Sequence, residues 1–229
     1  MIKQNLQEIR DKIEIAAKKS GRQASDIMLI GVTKTIGVER IEELLDEGIY
    51  DIGENRVQEL LGKYEQLGDK PNWHMIGRLQ TNKVKYIIDK VSLIHSVDSL
   101  RLAEEINKRA SYSNIVKNIL IEVNVANEQT KAGISSTDLA NFIQNLLPLN
   151  NICVKGLMTV APLVENSEQN RDCFRKMMKL FLDINANFSD NICMKYLSMG
   201  MTNDFEIAIE EGANIVRIGN GIFGARRYT

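Results

Sequence analysis

A lysine closes the apolar run Met28-Leu29-Ile30-Gly31-Val32-Thr33-Lys34. Side chains alternate across a strand with period two, so Met28, Ile30, Val32 and Lys34 share one face. An amine at the end of such a face is partly desolvated, which favours its neutral form, and a neutral amine can capture a carbonyl as a Schiff base. Position alone favours the plainer alternative, a lysine that leaves the strand end for solvent. Two later loops, Ser198-Met199-Gly200-Met201-Thr202 and Gly219-Asn220-Gly221, have phosphate-binding character. Backbone N–H groups beside a helix start suit a phosphate, and glycine lets the backbone come close. Ser198 adds a hydroxyl. Tight-turn geometry explains the glycines of each loop equally well, and Thr202 and Asn203 read as ordinary caps, Asn203 pairing with Glu206.

Arg217 shares a strand face with Ile215 and Gly219 and points towards the same end as Lys34. An arginine only donates hydrogen bonds. Opposite a pyridine nitrogen it would therefore require an unprotonated ring, which is a weak electron sink. Pairing with a barrel carboxylate is the structural alternative. Asn55, in Gly53-Glu54-Asn55, can contact a ring hydroxyl or cap the helix that begins near Arg56. His74 and His95 read as hydrogen-bonded core residues rather than catalysts. No metal cluster, nucleophile elbow, P-loop or dinucleotide fingerprint appears in the sequence.

The elements that must position these residues follow from periodicity. Strands are predicted at Met28–Thr33, Tyr50–Ile52, Trp73–Ile76, Val91–His95, Asn118–Asn124, Ile152–Leu157, Cys193–Leu197 and Asn214–Ile218. Helical patterns separate them, such as Val38–Glu47, with Ile41, Leu44 and Leu45 on one face and Gly48 as its cap. Another is Ser99–Ala110, which groups Leu102, Ala103 and Ile106. An extra leading helix carries Leu6, Ile9, Ile13, Ala16 and Ala17 and stops at Ser20-Gly21. Eight alternating units predict an α/β fold, a single (β/α)8 barrel of TIM type, with residues 1–229 forming one domain. The active end of such a barrel is the C-terminal end of its strands, and a phosphate site often forms after the seventh and eighth.

The 229 residues match one α/β barrel in length, and 44% apolar residues supply a core. A net charge of -1 offers no pull towards nucleic acid or an anionic membrane. No run reaches the roughly 18 apolar residues of a membrane span, and the polar N-terminus lacks a signal-peptide pattern. Three cysteines without C-x-x-C spacing fit a reduced, cytoplasmic protein.

An ordered set of short motifs resembles the pyridoxal phosphate homeostasis protein family. They are Gly31–Thr35, Ile52–Glu59, Trp73–Lys83, His95–Ser99, Glu128–Gly133, Gly156–Met158, Leu197–Thr202 and Arg217–Arg226, and they cover nearly the whole chain. The resemblance implies a barrel similar to the alanine racemase N-terminal domain, with pyridoxal phosphate held covalently on Lys34. It places Asn55 near the ring, Arg217 at the pyridine nitrogen, and Ser198, Gly219 and Asn220 at the phosphate. One departure falls in the site, because Asn220 stands where relatives often have Thr or Ser. The backbone N–H remains available there, but a hydroxyl contact does not.

The expected function is intracellular handling of pyridoxal phosphate, part of vitamin B6 homeostasis, without enzymatic turnover. Apoenzymes are the expected recipients and a monomer the expected state. After the eighth strand the sequence continues to Arg226-Arg227-Tyr228-Thr229, so the second domain that supplies a racemase's tyrosine is not expected. Two alternatives are a small pyridoxal phosphate enzyme acting on amino acids, and a sugar-phosphate barrel enzyme forming a Schiff base on Lys34 without a cofactor.

Overall fold

The computed structural model describes residues 1–125, 132–188 and 191–224. Glu128–Lys131 of one motif and Ala225–Thr229, which include the end of another, lie outside the described residues. Among the described residues nine strands form: β1 Met28–Val32, β2 Asp51–Glu54, β3 Asn72–Met75, β4 Leu93–Val97, β5 Lys117–Asn124, β6 Ile134–Ser135, β7 Ile152–Met158, β8 Ile192–Ser198 and β9 Ile215–Ile218. All pair in parallel, in the order β4-β3-β2-β1-β9-β8-β7-β5-β6. A further β4–β5 pairing closes eight of them into a barrel, and β6 is a two-residue appendage to β5. The eight expected strands are these eight, with ends displaced by one or two residues.

The helices are α1 Ile2–Lys19, α2 Val38–Asp46, α3 Val57–Leu67, α4 Leu100–Tyr112, α5 Leu139–Leu146, α6 Arg171–Asn187, α7 Phe205–Glu210 and α8 Asn220–Phe223. Between β3 and β4 the chain makes a 3-10 turn at Thr81–Tyr86 instead of an α-helix. The leading helix α1 buries Leu6, Ile9, Ile13, Ala16 and Ala17, and full burial of each Leu or Ile contributes about 1.5–3 kcal/mol. It lies against α7 and α8, where Asn5 Nδ2 donates to the Ile222 carbonyl at 2.8 Å. Among the described residues, no helix is long and apolar enough to cross a membrane.

Two expected caps differ. Helix α3 starts from Arg56 with no side-chain cap, so Asn55 is released from that role. Helix α7 starts from Asp204, one residue beyond Asn203. The Asp204 carboxylate accepts from the Met201 N–H at 2.7 Å and from Asn170 Nδ2 at 2.9 Å, so it braces the loop before the helix.

The core has two layers. The larger lies between strands and helices. The smaller consists of strand residues alone: Ile30, Leu93, Leu120, Met158 and Ile215, with Met28 and Tyr196 against them. That cluster is the barrel interior. Two residues on from Ile215 stands Arg217, and four on from Ile30 stands Lys34. Period-two geometry thus carries both groups along the inward face to the C-terminal mouth.

Candidate functional site at the barrel mouth

Lys34 leaves the end of β1 half-buried, on a loop pinned from behind. Its neighbour Thr33 faces outward towards α3, where Oγ1 donates to Glu54 Oε1 at 2.6 Å. Lys63 on α3 is buried and donates to the Thr33 carbonyl at 2.6 Å, to Glu54 Oε1 at 2.7 Å and to Glu59 Oε1 at 2.6 Å. Glu59 also accepts the backbone N–H of Thr35. Thr35 sits at φ +65°, an uncommon conformation for a β-branched residue. The residues on both sides of Lys34 are therefore held by one ion-pair network. Burial raises the pKa of the Glu54 carboxyl, while the Lys63 charge and the hydrogen bonds from Lys63 and Thr33 oppose that rise.

Arg217 is buried in the barrel interior. It donates to Ser198 Oγ at 2.6 Å and to the Thr159 carbonyl at 2.9 Å. Burial pushes its pKa down to about 10, against the pull of the Glu122 and Asp204 carboxylates. Its direct partners are thus neutral oxygens rather than the barrel carboxylate expected of a purely structural arginine. Glu122 projects inward from β5, two residues beyond Leu120. Burial and the Asp98 charge raise its pKa to about 7, opposed by Arg217 and Arg78.

A cavity of about 550 Å³ opens at this mouth. Val32, Lys34, Thr202, Arg217, Gly219 and Asn220 are among its walls. The two phosphate-type loops meet there, because Thr202 Oγ1 accepts from the Gly221 N–H at 3.3 Å. Gly219 packs its Cα against Val32, and an added Cβ would lie 3.3 Å from the Val32 carbonyl oxygen. Of the expected residues, Lys34, Arg217, Gly219 and Asn220 converge on this one space. Ser198 is fully buried and sits behind Arg217, its hydroxyl engaged by Arg217 and His95. Asn55 is half-buried on the loop after β2, its backbone in contact with Gly77.

Sequence reasoning passed over Glu122, Lys63, Thr202 as a loop-to-loop bridge, and Asp204. Two of these carried a signal. Glu122 is the lone charge in Ile119-Leu120-Ile121-Glu122-Val123, and Lys63 lies on the apolar face of α3 between Leu60 and Leu67.

Comparison with known proteins gives this geometry a family. Residues 4–227 match the family described as "Alanine racemase, N-terminal domain". The pyridoxal phosphate homeostasis protein of Aquifex aeolicus is 48% identical over 226 residues, 98% of each chain. That of Escherichia coli is 34% identical over 232 residues, covering 100% of this chain and 98% of the relative. Among solved structures, PipY of Synechococcus elongatus with pyridoxal phosphate bound superposes with a TM-score of 0.86 at 29% identity, over 98% of this chain and 100% of PipY. An alanine racemase from Clostridium difficile shares the fold at a TM-score of 0.73 and 18% identity; the match covers 99% of this chain but 57% of the racemase. Matched across nearly its whole length, the chain belongs to the alanine racemase N-terminal domain family and, within it, to the pyridoxal phosphate homeostasis proteins.

Proposed function

We propose that this chain, acting as one domain over residues 1–229, binds pyridoxal phosphate at the barrel mouth and holds it covalently through Lys34. The observation that carries this reading is the convergence of Lys34, the buried Arg217 and the glycine loops at Gly219 and Thr202 on one cavity of about 550 Å³. The residues suit the cofactor group by group: an amine for its aldehyde, a fixed donor for its ring nitrogen, and close backbone for its phosphate. Gly219 and Asn220 would meet the phosphate, with Ser198 supporting Arg217 from behind. Asn55 would contact the ring hydroxyl. The names of the relatives and the pyridoxal phosphate in PipY support the same ligand.

When bound, the cofactor supplies a reversible aldehyde and, in enzymes, an electron sink. This chain's residues favour the first use. Arg217 donates towards the ring nitrogen and offers no acceptor, so it maintains an unprotonated ring and disfavours carbanion chemistry. The role is storage and delivery of the cofactor in the cytoplasm by a monomer, to apoenzymes that require it, without turnover. Glu122 favours a second reading, a small enzyme acting on amino acids, because a carboxyl on β5 that feels the Arg217 charge and whose pKa is raised to about 7 is suited to proton transfer.

Borohydride reduction of the loaded protein, followed by peptide mapping, tests the anchor. The label is expected on the peptide containing Lys34; label elsewhere, or none, overturns the assignment. A parallel assay with amino acids separates the two readings, since turnover above that of free pyridoxal phosphate would make the protein an enzyme.

A further inference from the structure

A line of hydrogen bonds crosses the barrel interior from its N-terminal end to the site. Asp51 begins β2 at that end, and its side chain is 27% exposed. It borders a second cavity, of about 310 Å³, together with Arg10, Met28 and Tyr50. Asp51 Oδ1 lies 3.0 Å from His74 Nε2, and His74 Nδ1 lies 3.1 Å from His95 Nε2. His95 Nδ1 lies 3.1 Å from Ser198 Oγ, which receives Arg217 at 2.6 Å. His74, His95, Ser198 and Arg217 are all buried. The surrounding inward residues, Ile30, Leu93, Leu120, Met158 and Ile215, are apolar. The charged groups that face the line are Asp51 from β2 and Arg217 from β9, with Glu122 of β5 and Asp204 before α7 beyond Arg217.

Donor and acceptor roles along this line are constrained. Arg217 can only donate, so Ser198 Oγ accepts there; the Asp51 carboxylate can only accept, so His74 carries its hydrogen on Nε2. With both rings neutral, one arrangement satisfies every contact. His74 Nε2–H donates to Asp51, His95 Nε2–H to His74 Nδ1, and Ser198 O–H to His95 Nδ1. The other neutral tautomer of His95 would set two lone pairs face to face. Of the two rings only His74 faces a carboxylate, Asp51, so that is where the line can hold an added proton; His95 meets only His74 and Ser198, and burial, His74 and Arg217 hold its pKa well below the ordinary histidine value. His74 then donates from both nitrogens, His95 changes to its Nδ1–H tautomer, and Ser198 Oγ must accept from His95 and Arg217 together. One solvent proton is taken up and every other hydrogen is retained.

We propose that Asp51, His74, His95 and Ser198 are positioning residues that form a proton-responsive relay, through which the N-terminal end of the barrel sets the hydrogen bonding of Arg217. The relay bears on the cofactor by way of the reading that Arg217 meets its ring.

The sequence contains two histidines, so 15N-histidine labelling observes these two rings alone. In the protein without cofactor, both rings are expected as Nε2–H tautomers at high pH. As the pH falls, one proton is expected to join His74 while His95 changes tautomer in the same step. Asp51→Asn keeps an acceptor for His74 but removes the charge, so it should preserve the high-pH tautomers and move the joint step to lower pH. In protein loaded with pyridoxal phosphate, the pH profile of the visible band should move in the same direction. A high-pH Nδ1–H tautomer on either ring, a step at one ring without the other, or identical wild-type and Asp51→Asn band profiles would overturn the relay. Failure of the cofactor to load would count against the reading of the mouth instead, and the tautomer step would still decide the relay.

Discussion

Lys63 donates to the backbone carbonyl of Thr33 at 2.6 Å, and so a buried cation on α3 holds the residue that precedes Lys34. The same ammonium neutralises Glu54, which is fully buried and has one carboxylate oxygen, Oε2, without a hydrogen-bond partner. Lys63→Met should leave that carboxylate buried and uncompensated, a loss of about 3–5 kcal/mol. Urea unfolding measures it. The double variant Lys63→Met/Glu54→Gln should recover part of the loss, and no recovery would show that the ion pair is not the cause.

Thr35 sits at φ +65°, held by the Glu59 carboxylate at its N–H. A left-handed conformation costs a non-glycine residue roughly 1–2 kcal/mol. Thr35→Gly should therefore raise stability by about 1 kcal/mol or somewhat less, because glycine also adds freedom to the unfolded chain. An unchanged or lower urea midpoint would mean that this backbone carries no penalty.

The pKa of Glu122 is raised from the ordinary carboxylate value of 4.5 to about 7, so the folded state holds a proton that the unfolded state has released. Between those limits the native protein binds more protons, and stability falls as the pH rises from about 4.5 to about 7. Glu122→Gln should flatten that slope in a series of urea titrations across this range. A slope of unchanged steepness in the variant would assign it to another group.

His95 has the opposite sign. Its pKa is lowered, so its contribution is present above the ordinary histidine value of 6.5 and is lost as the pH falls below it. His95→Gln should reduce the acid sensitivity of unfolding below about pH 6.5, provided glutamine still bridges His74 and Ser198. Unfolding followed by circular dichroism at stepped pH checks this.

If Arg217 meets the ring nitrogen as proposed, Arg217→Gln should alter the visible absorption of bound pyridoxal phosphate, since it replaces a fixed cationic donor with a neutral amide. Binding should weaken less than in Gly219→Val, whose added side chain would crowd Val32 and the cavity wall. Identical spectra for wild type and Arg217→Gln would remove Arg217 from the ring.

Much of the architecture is legible in the sequence. Period-two runs located the eight barrel strands to within one or two residues, and period 3.6 located α1, α2 and α4. The same alternation placed Lys34 on an inward face at a strand end, as it placed Arg217 and Gly219 together. Local chemistry was less reliable at helix starts. Asn55 and Asn203 are sound capping types, but Arg56 and Asp204 occupy the N-cap positions, where backbone geometry and neighbouring loops prevailed over residue preference.

Ser198 shows where local reading stops. Its strand face was legible, but its depth in the barrel was not, and depth decides whether a hydroxyl reaches a ligand or supports the arginine in front of it. The relay shows the same limit more sharply: His74 and His95 are 21 residues apart, whereas His95 and Ser198 are 103 apart. Alternation along each strand determined which residues point inward. Closure of the sheet between β4 and β5, and the pairing of β9 with β1, decided which of them meet. The physical reason is that side-chain direction is a property of one strand, while a shared hydrogen bond or a shifted pKa belongs to groups that several strands bring into one low-dielectric space.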